Sequence, residues 1–242
     1  MYPILFKIGP LAVYSYGAML ALALVTCSFL LQRQAKKQGI NPELIFDFVF
    51  WVAVFGILGS RIFFILLNLS YFSDNLLEMI MIHHGGLAWQ GGLILGSLVG
   101  FLFIKKKRMP LWQTVDLIVP YIALGQAIGR IGCFLNGCCH GKQAGWGIFF
   151  PVHDSFLQPT QLYSSASLFV IFFILKYFQN KKLKPGMIFI LYLIFASTQR
   201  FFIQFLRADY DPIFLNLGIF QIVNICIIFL AAYGYLYSKY QR

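Results

Sequence analysis

Apolar runs of roughly 20 residues recur along the chain, separated by short polar stretches, at about 14–32, 44–67, 87–104, 114–135, 161–178, 187–206 and 217–237. A run of that length crosses a bilayer as a helix, because only a helix satisfies its own backbone groups in lipid. The pattern predicts an all-α, polytopic membrane protein with about seven transmembrane helices. No low-complexity tract or long linker divides the runs, so residues 1–242 read as a single integral-membrane domain. Only Lys7 precedes the first run as a base, and no small-x-small cleavage site follows it, which favours a retained span over a removed leader.

Composition agrees: 60% of the residues are hydrophobic and 11% are charged. The net charge of +11 would suit a nucleic-acid partner, but its distribution argues against one. Bases cluster after alternate runs, at Arg33/Lys36/Lys37, Lys105/Lys106/Lys107/Arg108, Lys176/Lys181/Lys182/Lys184 and Lys239/Arg242. The opposite loops carry Asp74, Glu78, Asp154, Asp209 and Asp211, with only Lys7, Lys142 and Arg207 as nearby bases. Excess Lys and Arg marks cytoplasmic loops, so the amino terminus is expected outside and the carboxyl terminus in the cytoplasm. The same clusters attract anionic membrane lipid.

Several polar residues interrupt this apolar background. Arg61 follows Gly59-Ser60; Arg130 sits in Gly129-Arg130-Ile131-Gly132-Cys133-Phe134-Leu135-Asn136-Gly137; Arg200, Gln204 and Arg207 form an i, i+4, i+7 stripe. An arginine at mid-bilayer costs at least ~2.5–3.5 kcal/mol, so it either snorkels, pairs with a carboxylate or meets an anion. Asp47 and Asp116 lie toward the inner side, whereas the arginines lie toward the outer one. Phosphate, which a guanidinium binds bidentately, would supply the missing charge. The stretch His83-His84-Gly85-Gly86-Leu87-Ala88-Trp89-Gln90-Gly91-Gly92 supplies irregular backbone near membrane depth. His84 is either a surface histidine or a chemical one, and Trp89 and Tyr163 suit interfacial anchoring. Cys27 and Cys226 lie inside apolar runs and suit core packing. Cys133, Cys138 and Cys139 admit small-residue packing, thiol chemistry or a metal. Adjacent cysteines followed by His140 are poorly spaced for tetrahedral corners, so no metal or other cofactor is expected.

Lys7-Ile8-Gly9-Pro10 leading to Tyr16-Gly17, Gly59-Ser60-Arg61-Ile62, the paired glycines, the Gly129–Gly137 run, Pro159-Thr160-Gln161-Leu162-Tyr163 and Arg200 together resemble the prolipoprotein diacylglyceryl transferases. The resemblance runs nearly the whole chain in order. It implies a multi-pass enzyme of the bacterial inner membrane that moves the diacylglyceryl group of phosphatidylglycerol to the lipobox cysteine of a prolipoprotein, with glycerol phosphate leaving. Tyr16, Arg130, Asn136, Gly137, Gly141 and Arg200 fall on its motif positions, with Arg61, Gln161, Tyr163, Gln204 and Arg207 expected around the lipid head.

The chain departs from that pattern at ionisable positions. Gln90 stands where the family typically has His, Cys133 where it has Asn, Cys138 where it has Glu, and Gln204 where it has a second Glu. These departures bear on how the acceptor thiol loses its proton, a task for which His84, Gln90, Cys133 and Cys138 are candidates. They leave open a different thiol or small-molecule acceptor on the same fold. A non-enzymatic lipid-binding or transport protein is the third reading, though no internal repeat of the kind transporters carry is visible.

Overall fold

A computed structural model describes residues 1–8, 11–74, 76–81, 85–181, 183–213 and 216–240. Seven helices of 18 to 26 residues run through the described residues: α1 (Ser15–Lys37), α2 (Pro42–Leu67), α4 (Trp89–Lys106), α5 (Leu111–Asn136), α6 (Thr160–Gln179), α7 (Met187–Leu206) and α8 (Ile219–Tyr240). A short α3 (Leu69–Asp74) and a 3-10 turn (Leu76–Met79) follow α2. Six of the helices, all but α4, are long and apolar enough to cross a membrane. Their outward faces carry exposed Leu, Ile, Phe and Val, among them Leu22, Val25, Ile57, Phe173, Phe229 and Leu230, as suits a lipid solvent.

Two antiparallel hairpins were not expected from hydropathy: β1 (Ile4–Ile8) with β2 (Leu11–Tyr14), and β3 (Gln143–Phe150) with β4 (Ser155–Leu157). The all-α expectation is corrected to that extent. The strands are short and apolar, so their alternation merges into the neighbouring runs.

The chain forms two compact units: Met1–Leu31 with Val115–Arg242, and the inserted stretch Gln32–Thr114. In the inserted unit, Asn41 caps α2 by accepting from the Glu43 N–H at 3.0 Å, with Pro42 in the first turn. There α2 and α4 cross on glycine. A Cβ at Gly59 would stand 2.5 Å from the Gly91 carbonyl oxygen, and one at Gly91 would stand 2.2 Å from that of Gly59. Backbones meet where side chains would keep them apart, as small-residue crossings in membranes do.

In the terminal unit, α1 lies along a glycine face of α5. Positions 125, 129 and 132 of α5 face Cys27, Leu20 and the Met19/Tyr16 pair respectively. Val119, Ala123 and Ala127 of α5 pack with Leu168, Ile171 and Leu175 of α6 and Ile188 of α7. Pro120, inside α5, deprives the Asp116 carbonyl of its helical donor. Gln179 Nε2 replaces it, donating to the Asp116 and Leu117 carbonyls at 3.1 and 3.2 Å, while Lys176 Nζ holds Gln179 Oε1 at 2.6 Å. The Asp116 carboxylate accepts from Gly186 N at 2.6 Å and Phe189 N at 2.9 Å, capping α7 from another helix. That explains this carboxylate without an arginine partner.

Candidate active site around the 138–141 loop

The site grows from the end of α5. Gly137, at φ +78°, takes the left-handed conformation that stops a helix, and Cys138 N donates back to the Cys133 carbonyl at 3.1 Å. Cys139 is also left-handed, at φ +62°, a conformation costly for a residue with a Cβ. The loop is then fastened from two helices. Gln161 Nε2 donates to the Cys138 carbonyl at 2.7 Å and Thr160 Oγ1 to that of Cys139 at 2.9 Å, both from the first turn of α6. Gly141 N donates to Gln158 O at 2.8 Å, and Lys142 N to Leu206 O at 2.9 Å at the end of α7. Gly141 pairs with Arg207 as an isolated bridge. A side chain at 141 would meet the Leu206 carbonyl at 2.6 Å and Gln158 Cβ and Thr160 Cγ2 at 2.7 Å, so only glycine fits.

Three cations come together here. Arg130 on α5 and Arg207 just beyond α7 each lie within electrostatic range of Arg200 on α7. Arg200 lies over the Phe220 ring at 5.9 Å, and its Nη1 is buried without a hydrogen-bond partner. One turn on, Gln204 is 2% exposed. Its Oε1, like those of Gln158 and Gln161, is buried without a partner. Each such group costs about 1–3 kcal/mol unless something meets it. Arg207 is differently placed: its Nε and Nη2 each hold an oxygen of Asp209 at 2.6 Å. Asp209 is accordingly held below the usual carboxylate range, and Arg207 is raised by the same bonds.

Tyr16, at the start of α1, lies within electrostatic range of Arg130 and of all three loop cysteines. The Cys138 thiol donates to the Cys133 carbonyl at 3.7 Å, close behind Asn136 at the end of α5. Tyr163 sits in the first turn of α6, half-buried. The sulfurs of Cys133, Cys138 and Cys139 all lie within 4.8 Å of one another. Hydrogen bonds from the Cys133 and Cys138 thiols, and the charge of Arg207, hold Cys139 well below the usual thiol range. Three sulfurs thus converge, while His140 turns its Nδ1 to the Gly141 carbonyl instead of joining them. The left-handed turn at Cys139 brings neighbouring side chains to one side.

Arg61 belongs to the inserted unit and is 5% exposed. Its Nε donates to Met79 O at 3.1 Å, Nη1 to the carbonyls of Gly85 and Gly86, and Nη2 to those of Glu78 and Met81. Phe64 and Phe72 cover it at 5.9 and 5.4 Å. It organises a loop and has no fork left over for an anion. Gln90 is exposed on the first turn of α4, and His84 lies outside the described residues.

The sequence reading missed the parts played by Asp209, Thr160 and Gln158. Asp209 stands two residues from Arg207, a spacing that suggests a local pair; nothing in the sequence marks the other two as loop fasteners.

A model of the family described as prolipoprotein diacylglyceryl transferase matches residues 3–237. Among similar proteins is the phosphatidylglycerol–prolipoprotein diacylglyceryl transferase of Clostridium tetani, 34% identical over 100% of both chains. Those of Staphylococcus carnosus and Staphylococcus aureus (strain Newman) are 33% and 34% identical, covering 99% and 98% of this chain and 91% and 89% of their own. With a match spanning the loop, its three cations and both compact units, this chain belongs to the prolipoprotein diacylglyceryl transferase family.

Proposed function

We propose that the protein transfers the diacylglyceryl group of phosphatidylglycerol to the lipobox cysteine of prolipoproteins, releasing glycerol phosphate. The observation that carries this is the buried, partnerless Nη1 of Arg200 beside Arg130, with the buried amide oxygens of Gln158, Gln161 and Gln204 around the same loop. Guanidinium donors suit a phosphate, and amide acceptors suit glycerol hydroxyls, so the set matches a phosphoglycerol head.

As the diacylglyceryl carbon–oxygen bond breaks, negative charge grows on the phosphate that leaves. Fixed cations in a water-poor site stabilise that charge where it develops. Arg130 and Arg200 take this role, and Arg207, tied to Asp209, sets the field and fastens the loop. Asn136, Gly137 and Gly141 shape the loop, while Tyr16 and Tyr163 flank it. Gln90 is given a hydrogen-bonding role, since an amide accepts no proton at neutral pH. Arg61 positions its own loop.

The chain is read as one domain of the bacterial inner membrane with seven crossings, α4 included, amino terminus outside. Two features support this orientation. Bases end α1 and α4 at Lys36, Lys37, Lys105 and Lys106, and Lys176 lies in the last turn of α6. The arginine site lies at the opposite ends of α5 and α7. Purified protein in vesicles of labelled phosphatidylglycerol, given a lipobox peptide, should place label on the peptide's cysteine. Lipid turnover with an unmodified peptide would point to another acceptor, and no turnover of the lipid would refute the reading.

A further inference from the structure

Cys133 in the last turn of α5 and Cys138 and Cys139 in the loop after it form a cluster. Their sulfurs lie within 4.8 Å of one another, and among the described residues no fourth cysteine, histidine or carboxylate joins them. Three thiolates at about 2.3 Å from a common zinc ion stand roughly 3.8 Å apart. The observed triangle reaches that size by closing about an ångström, within rotamer reach. The backbone is already arranged for convergence, with Cys139 in the left-handed region and the Cys138 and Cys139 carbonyls held by Gln161 and Thr160. The Arg207 charge lies within electrostatic range of the Cys139 sulfur, a cation beside a would-be thiolate ligand. Its own orientation is fixed by Asp209.

We propose that Cys133, Cys138 and Cys139 form a three-thiolate site for a zinc-class dication whose open fourth position takes the acceptor thiol. The inference rests on the transferase reading above. Three thiolates and a dication carry one net negative charge, which Arg200, within electrostatic range of Cys139, offsets. A closed four-ligand site is structural, whereas three protein ligands with one open position mark a site that does chemistry.

The reaction supplies the reason. A neutral thiol is a poor nucleophile, and a dication strips its proton without needing a general base. Gln158, Gln161 and Gln204 are amides and the arginines are cations. His153 Nε2 donates to the Gly137 carbonyl and His140 Nδ1 to that of Gly141, each at 3.0 Å, with the tilted rings 4.3 Å apart, so the second nitrogen of each ring is the competing base. A thiol bound to a dication is deprotonated outright and remains nucleophilic. The acceptor sulfur gives its proton to solvent on binding and then attacks the diacylglyceryl carbon. A sulfur–carbon bond forms, the carbon–oxygen bond breaks, and the electron pair leaves on the phosphate oxygen beside Arg130 and Arg200. No electron donor or oxidant is required. The product thioether is a weaker ligand than a thiolate and departs.

Cobalt(II) reports this without turnover. Full-length protein in phosphatidylglycerol nanodiscs, metal-stripped and titrated with cobalt, should bind one equivalent. It should show thiolate-to-cobalt charge transfer and the visible bands of a tetrahedral ion. A lipobox peptide should change those bands, and the same peptide with serine for its cysteine should not. Cys226→Ser should bind cobalt normally, whereas Cys133→Ser, Cys138→Ser and Cys139→Ser should each weaken binding at least tenfold. Failure of the unaltered protein to bind, or bands indifferent to the peptide thiol, overturns the proposal. Labelled-lipid transfer measured on the same sample keeps the two readings apart. Full transfer by metal-free protein sinks the metal site alone, whereas a peptide-responsive cobalt site without lipid transfer upholds the site and sinks the lipid donor.

Discussion

Arg200 shows how much a single side chain can say when its surroundings are known. It is half-buried, with one buried nitrogen unmet and two other cations nearby, an arrangement that stabilises nothing in the protein by itself. Arg200→Ala should leave a folded protein with transfer to a lipobox peptide lowered by about 10²-fold or more. Arg200→Lys should recover little, because an ammonium keeps the charge and loses the planar fork. Arg207 makes the contrasting case. The folded-state pKa of its partner Asp209 lies below the unfolded value. The bridge therefore stabilises the protein above about pH 4 and loses its effect as pH falls through the folded value. The Asp209 side chain is 58% exposed, so the effect is small after solvent screening, about 1 kcal/mol or less. The gap in thermal midpoint between wild type and Asp209→Asn should shrink as buffer is taken from about pH 7 toward about pH 3.

Helices were legible in the sequence because lipid imposes one demand on every span, a continuous apolar stretch. The glycines act at different ranges: α1 rests on α5 at Gly125 and Gly129 in ordinary contact, whereas Gly59 meets Gly91 backbone to backbone where α2 crosses α4. A methyl group at that crossing pushes on backbone, which cannot swing aside. Gly91→Ala should destabilise the protein by about 1–3 kcal/mol, read as a lower unfolding midpoint in detergent. The hairpins were not legible, since ILFKI and LAVY carry no polar alternation to separate them from a span. Nor was the rescue of the Asp116 carbonyl by Gln179, because their 63-residue separation is closed only by the packing of α5 on α6. Helix identity is local information, whereas hydrogen-bond partners across helices are not.

Charge decides how the whole molecule sits in its membrane. A reporter active only outside the cytoplasm should work when fused after Asp74 and fail when fused after Lys107. The reverse result would turn the molecule over and put the arginine site on the wrong side for an exported acceptor. The family was legible because order, spacing and charge alternation extend along the chain. What each polar residue does was less so. Arg130 and Arg61 look alike in sequence, each an arginine close behind a glycine in an apolar run, and only their neighbours tell them apart. In Arg61 every N–H is spent on main-chain oxygens of residues 78–86. Such a clasp is blind to side-chain identity. The segment it grips is thus free to drift in sequence while keeping its shape, and a randomised library at 78, 79 and 81 should yield many folded members. The same library built on Arg61→Lys should yield few, since three rotatable protons cannot reach five carbonyls.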